Sequence, residues 1–171
     1  EGRNGPSPLR GQAGGSDASM GDFVGTETST LDRKGRCIVP AGFRRVLQGE
    51  PLYLRPSVRG AFLEGWPASA VTSDAAPRLG PTDVIAPEDD DQLYALIAAA
   101  VPVTPDSDGR VILPGELIAY AGLESELVFV GRRSFLEIWS KPAFAERMRQ
   151  AMAAMAERQR AAAARAKGGA A

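Results

Sequence analysis

The segment Asp32–Pro40 reads DRKGRCIVP, and Asp106–Pro114, seventy-four positions further on, reads DSDGRVILP. Asp32, Gly35, Arg36, Ile38 and Pro40 return as Asp106, Gly109, Arg110, Ile112 and Pro114. The likeness continues outward. The first copy runs on through AGFRRVL, PLYLRP and GAFLEGW, and the second through GELIAYA, ELVFVG and RSFLEIW. Phe62, Leu63, Glu64 and Trp66 recur as Phe135, Leu136, Glu137 and Trp139 at nearly the same offset. A turn, a strand, a proline and a distal F-L-E-x-W do not recur together by chance, so the chain carries an internal duplication.

Each copy has a direct physical reading. In Asp-x-x-Gly the aspartate bonds backbone amides ahead of it, and glycine supplies a positive φ. A short apolar strand follows, Cys37–Val39 or Val111–Leu113. Pro40 and Pro114 end that strand and are expected to open a short helix as its first residue. Gly49 and Gly122 are the expected stops, and a hairpin closes each unit, with Arg132–Ser134 as the tight turn of the second. The β-branched run Phe23–Leu31 suits a leading strand. The predicted order is therefore ββαββ, twice over. Units this small cannot bury a face alone, so the halves are expected to share one core about a pseudo-twofold axis. The fold class is mostly β with short helices (α+β).

Around this frame, residues 1–19 read as a disordered Gly/Ser/Pro-rich leader, and 20–70 and 101–144 as the two halves. Residues 71–100 read as an acidic linker in which DDDQLYALIAAA is a short helix and the rest is loop. The C-terminal helix starts near Ser140, its expected N-cap, and residues 145–171 hold its length and a tail that frays beyond Gln159. Phe144, Met148, Met152 and Met155 form one apolar stripe, read as a docking seam.

Composition removes several classes of function. The 171 residues contain no histidine and a single cysteine. Ser–His and Cys–His catalysis, thiolate metal cages and internal disulfides are thereby excluded. Cys37 reads as packed core, as do Trp66 and Trp139. No phosphate-cradling glycine loop or metal-ligand cluster is present, and the acidic run Glu88–Asp91 reads as helix-start charge. The chain is read as non-enzymatic, without metal, cofactor or small-molecule substrate. No apolar run reaches membrane-spanning length and no signal-peptide pattern is present, so a cytoplasmic location without membrane contact is expected. The net charge of −1 hides segregation: Thr30–Arg59 carries +5, Ala70–Asp108 carries −7 and Gly131–Ala171 carries +6. A polyanionic partner is therefore compatible with an acidic pI.

With its doubled D-x-x-G-R-x-x-x-P and F-L-E-x-W, the sequence resembles the MraZ family of bacterial transcription regulators, within the AbrB-like swapped-hairpin DNA-binding proteins. The resemblance covers about Asp22 to Phe144. It implies a double-split β-barrel built from two SpoVT/AbrB-like halves, and protomers joined in a ring-shaped homo-oligomer. It further implies a nucleoid-associated regulator, expected to be a repressor. The implied target is double-stranded DNA carrying repeated promoter boxes upstream of the division and cell-wall gene cluster. Asp32 with Arg36, and Asp106 with Arg110, match the family residues that mark the DNA-facing surface. The acidic inter-copy segment, the leader, and Asp108 in place of Lys34 depart from the family pattern.

The residue types suit that chemistry. Arg36 can donate a two-pronged fork to guanine or phosphate, Arg33 and Lys34 suit phosphates, and Asp32 can steer Arg36. Arg44 and Arg45, on the helix after Pro40, are further candidate phosphate contacts. The competing reading is that Asp32 and Arg36 brace a turn and that Arg44 and Arg45 are merely solvated; for Arg110 both readings stand equal. The competing function is a ring-forming interaction protein that sequesters a protein partner without tight DNA binding.

Overall fold

A computed structural model describes residues 21–72 and 98–168 of the chain. The elements run β1 (Thr26–Thr30), β2 (Arg36–Ile38), α1 (Ala41–Leu47), β3 (Leu52–Pro56), β4 (Leu63–Pro67) and α2 (Ala68–Thr72). They continue as β5 (Val101–Val103), β6 (Arg110–Ile112), α3 (Gly115–Tyr120), β7 (Glu126–Gly131), β8 (Leu136–Ser140) and α4 (Lys141–Gly168). The ββαββ order thus appears twice.

Six strands form an open antiparallel sheet in the order β1-β7-β8-β4-β3-β5, and β2 and β6 form a separate two-stranded ribbon. The order reads the same from either edge once each strand is exchanged for its repeat. The leading strand of each copy pairs with the other copy: β1 with β7, and β5 with β3. At the centre β4 meets β8 with Glu64 opposite Glu137, and in the ribbon Cys37 lies opposite Val111. The halves are interleaved by backbone hydrogen bonds as well as packed side by side.

Alternation along the strands divides the sheet into two faces. On one, Leu52, Leu54, Leu63, Leu127, Phe129, Leu136 and Ile138 are almost wholly buried. Phe43 and Leu47 of α1, Leu117 of α3, and Cys37, Val39, Val111 and Leu113 of the ribbon cover them in a single cluster. Fully burying one such Leu or Phe contributes about 1.5–3 kcal/mol. Burial pushes the Cys37 thiol up to about 12, which fits a packed and unreactive sulfur.

The opposite face holds the F-L-E-x-W repeats. Phe62 stacks on Trp139 at 4.1 Å and Phe135 on Trp66 at 4.4 Å, so each copy's phenylalanine lies on the other copy's tryptophan. Glu64 and Glu137, both buried, sit directly opposite each other between these stacks. Like charges so placed repel unless compensated. The compensation is cationic. Arg55 donates Nε and Nη2 to Glu64 Oε2 at 3.1 and 2.9 Å, and Arg59 Nη2 reaches Glu64 at 2.9 Å and Glu137 at 3.3 Å. Arg132 lies 3.2 Å from Glu137, and each tryptophan indole N–H donates to the glutamate two residues before it, at 3.0 and 2.9 Å. Burial alone would raise the Glu64 carboxyl, but donors from Trp66, Arg55, Arg59 and Ser57 outweigh it and hold the group below its ordinary value.

Three local expectations are corrected. Pro40 and Pro114 keep the extended strand backbone, with ψ of 146° and 138°, so they cap the helices and Ala41 and Gly115 open them. Ala68–Thr72 lies within the stretch read as strand end and loop, yet it forms the short helix α2 directly after β4. The C-terminal helix does not fray at Gln159 but continues to Gly168, because alanine and arginine are both strong helix formers. Its length is about 42 Å, and only its start is packed, through Ala143 and Phe144 beside Trp139. Met148, Met152 and Met155 stand about half exposed rather than docked within the chain. The expected leader and most of the DDDQLYALIAAA helix lie outside the described residues. Among the described residues no helix is long and apolar enough to cross a membrane.

Candidate nucleic-acid interface

The two Asp-x-x-Gly-Arg turns are built alike. Asp32 Oδ1 accepts the backbone N–H groups of Lys34 and Arg36, both at 2.9 Å, and Gly35 donates to the Asp32 carbonyl at 3.0 Å. Asp106 Oδ1 accepts from Asp108 at 3.0 Å and Arg110 at 2.8 Å, and Gly109 donates to the Asp106 carbonyl at 2.8 Å. Each turn closes on a glycine with positive φ, 77° at Gly35 and 81° at Gly109, where other residues would be strained. The backbone N–H of Arg36 is the foremost cause holding the Asp32 carboxyl below its ordinary value, and that of Arg110 does the same for Asp106.

The turns are also tied to one another. Val39 N–H donates to the Gly109 carbonyl at 2.9 Å and Leu113 N–H to the Gly35 carbonyl at 2.8 Å. The β2–β6 register sets Arg36 opposite Ile112 and Ile38 opposite Arg110, with Cys37 and Val111 turned into the core between them. Both arginines therefore stand on the outer face of one ribbon. Both are exposed, as are Asp32, Arg33, Lys34 and Asp106.

The ends of the ribbon differ electrically. Arg36 gives only Nε to Asp32, at 2.6 Å, and its two terminal nitrogens bond no other described residue. Arg110 is drawn between two carboxylates, Asp106 at 3.8 Å and Asp108 at 3.9 Å. The first turn thus presents Arg33, Lys34 and two guanidinium nitrogens of Arg36 that are unpaired among the described residues. The second presents an arginine shared between acids.

Arg44 was read from sequence as a phosphate contact or a merely solvated arginine on the helix that follows the first turn. The structure lays it across the second instead: a Cβ built on Gly109 would fall on the Arg44 guanidinium. Arg44 Nε is buried there without a hydrogen-bond partner among the described residues. At the matching place Ile118 of α3 lies over Gly35. Each helix therefore buttresses the other copy's turn. Arg45 points to solvent. Sequence reasoning did not single out Ile38 and Ile112 as surface residues. The exposed–buried–exposed alternation of two three-residue strands was the available signal, and it is too short to read alone. Among the described residues no group of three His, Cys, Asp or Glu side chains could hold a metal ion.

A doubled turn-and-strand unit, interleaved with its own repeat and presenting two arginines from one ribbon, defines an internally duplicated protein of mixed sheet and helix. The family model described as "MraZ protein, putative antitoxin-like" matches residues 96–166. Relatives named transcriptional regulator MraZ match over most of the chain. The one from Gluconacetobacter diazotrophicus is 42% identical over 136 residues, covering 76% of this chain and 85% of its own. Those from Gluconobacter oxydans and Rhodospirillum rubrum are 38% and 34% identical, covering 77% and 74% of this chain and 84% of each relative. The chain belongs to the MraZ family.

Proposed function

We propose that this protein is a sequence-specific DNA-binding transcriptional regulator that acts through the β2–β6 ribbon. The observation that carries the reading is the placing of Arg36 and Arg110 on one exposed ribbon face, beside the cationic Arg33 and Lys34. A two-stranded ribbon fits the major groove, where an arginine fork can take guanine O6 and N7. Arg33 and Lys34 supply phosphate contacts. Asp32 aims Arg36, and Asp106 aims Arg110. Arg44 supports the second turn, and Arg45 adds long-range attraction.

So small a reading surface needs repetition. We infer that protomers assemble into a closed homo-oligomeric ring, so that several ribbons engage repeated promoter boxes and gain affinity through effective concentration. In this reading the sheet, ribbon and helices constitute a double-split barrel. The target is the promoter of the protein's own division and cell-wall gene cluster on the nucleoid, and the outcome is repression. The names of the relatives support the regulatory role.

Footprinting and gel shifts on DNA upstream of the gene, at two salt concentrations, test this. Binding that weakens steeply with salt is expected. Arg36→Ala should abolish specific binding while size measurement shows the oligomer intact, and Arg110→Ala should weaken it less. Absence of any shift at low salt would overturn the reading in favour of partner sequestration.

A further inference from the structure

Two isoleucines stand where a soluble protein would ordinarily place polar groups. Ile38 is 47% and Ile112 64% exposed, on the outer face of the ribbon. Each faces an arginine of the other copy: Ile112 opposite Arg36, and Ile38 opposite Arg110. The face is thus a two-by-two array of apolar and cationic side chains, with its diagonals alike.

Cross-strand neighbours stand about 4.5–5.5 Å apart, and residues two apart along a strand about 6.6–6.8 Å. The second spacing is close to two base-pair steps of about 3.4 Å. The major groove is about 12 Å wide and takes such a ribbon. Its floor presents two features matched to this array: the acceptor pair of guanine, for a guanidinium fork, and the C5-methyl of thymine, for an apolar side chain. The flanking arginines commit the patch to a polyanion rather than to an apolar protein surface, because docking the isoleucines on protein would desolvate the guanidinium groups beside them.

We propose that Ile38 and Ile112 are base-reading residues that contact thymine methyl groups within about two base pairs of the guanines taken by the arginines. The proposal rests on the DNA-binding reading above and extends it from affinity to the bases selected. Each recognition unit is then composite, one copy supplying the fork and the other the methyl contact. It also gives both copies a role in readout, even though Asp108 weakens the second arginine.

The test uses the full-length protein and its footprinted operator, with single thymines replaced by deoxyuracil, which removes only the methyl group. The wild type should lose about fourfold in affinity at each contacted dT and nothing elsewhere. Ile112→Ala should become insensitive at one subset of those positions and Ile38→Ala at another. Both should stay sensitive to 7-deazaguanine, which reports the arginine contact and an intact ribbon. If the isoleucines serve only as β-branched strand formers, the variants will weaken binding to dT and dU operators alike. That result, or a wild type indifferent to every dT-to-dU change, overturns the proposal while leaving the regulator reading in place. Failure of the unsubstituted operator to bind would overturn both.

Discussion

Replacing Glu64 with alanine should destabilise the protein more than any comparable change on the same face. Five donor atoms converge on this buried carboxylate: two from Arg55 and one each from Arg59, Ser57 and Trp66. Removing it strands the Trp66 indole N–H, at about 1–3 kcal/mol for an unsatisfied buried donor. It also strands the Arg55 guanidinium, only 19% exposed, and breaking a buried pair typically costs about 3–5 kcal/mol. Three effects reduce that figure. Arg55 stays over the Trp66 ring at 4.9 Å, Arg59 is 46% exposed and keeps Glu137, and the Glu64–Glu137 repulsion disappears. The net expectation is about 3 kcal/mol, or a fall in Tm of about 6–12 °C. Glu137→Ala should lose less, about 2 kcal/mol, because Arg132 can turn to water and Arg59 retains Glu64. Urea unfolding followed by tryptophan fluorescence, at fixed protein concentration and without DNA, measures both. A Glu64→Ala protein within about 1 kcal/mol of wild type, or one less damaged than Glu137→Ala, would refute this account of the face.

Acid should act on the same carboxylate. Its folded-state pKa lies below the ordinary 4.5, so its contribution is complete above that value and disappears as pH falls through the folded pKa. Unfolding midpoints should therefore drop below about pH 4.5, and less steeply in Glu64→Gln. At the ribbon, Asp108→Lys should leave Arg110 to Asp106 alone and add a cation to the second turn. Operator binding in a salt titration should then steepen by about one to two phosphate equivalents, and an unchanged slope would remove Asp108 as the cause of the asymmetry.

The duplication made the element order legible, because a turn motif, a strand and a proline repeated at one spacing need no long-range information. Partner choice was not legible in the same way. Nothing local in TETST says that it bonds to ELVFVG rather than to its own copy. The tryptophans and Cys37 read correctly as core, since apolar residues in short strands have few other uses. The meaning of the glutamate between Leu63 and Trp66 was missed. A carboxylate inside an apolar strand run is a signal in itself, and Arg55, Arg59 and Arg132 were the cations available to meet it. The motif placed an arginine in each turn, and both stand exposed on the ribbon. The seat of Arg44 across Gly109 depends on the crossing of the halves and could not be inferred from α1 alone.

The pairing of Thr28 with Val128 spans a hundred residues of chain, and this has a consequence during synthesis. The first half emerges from the ribosome with β1 complete while the strand that β1 will bond is still unmade. Unlike a tandem of independent domains, the nascent chain cannot bank its early folding energy and must hold open edges until the end of translation. Slow or premature termination inside the second half therefore leaves a species with unsatisfied strands, vulnerable to proteolysis, and the interlocking that steadies the finished protein makes it an all-or-nothing product.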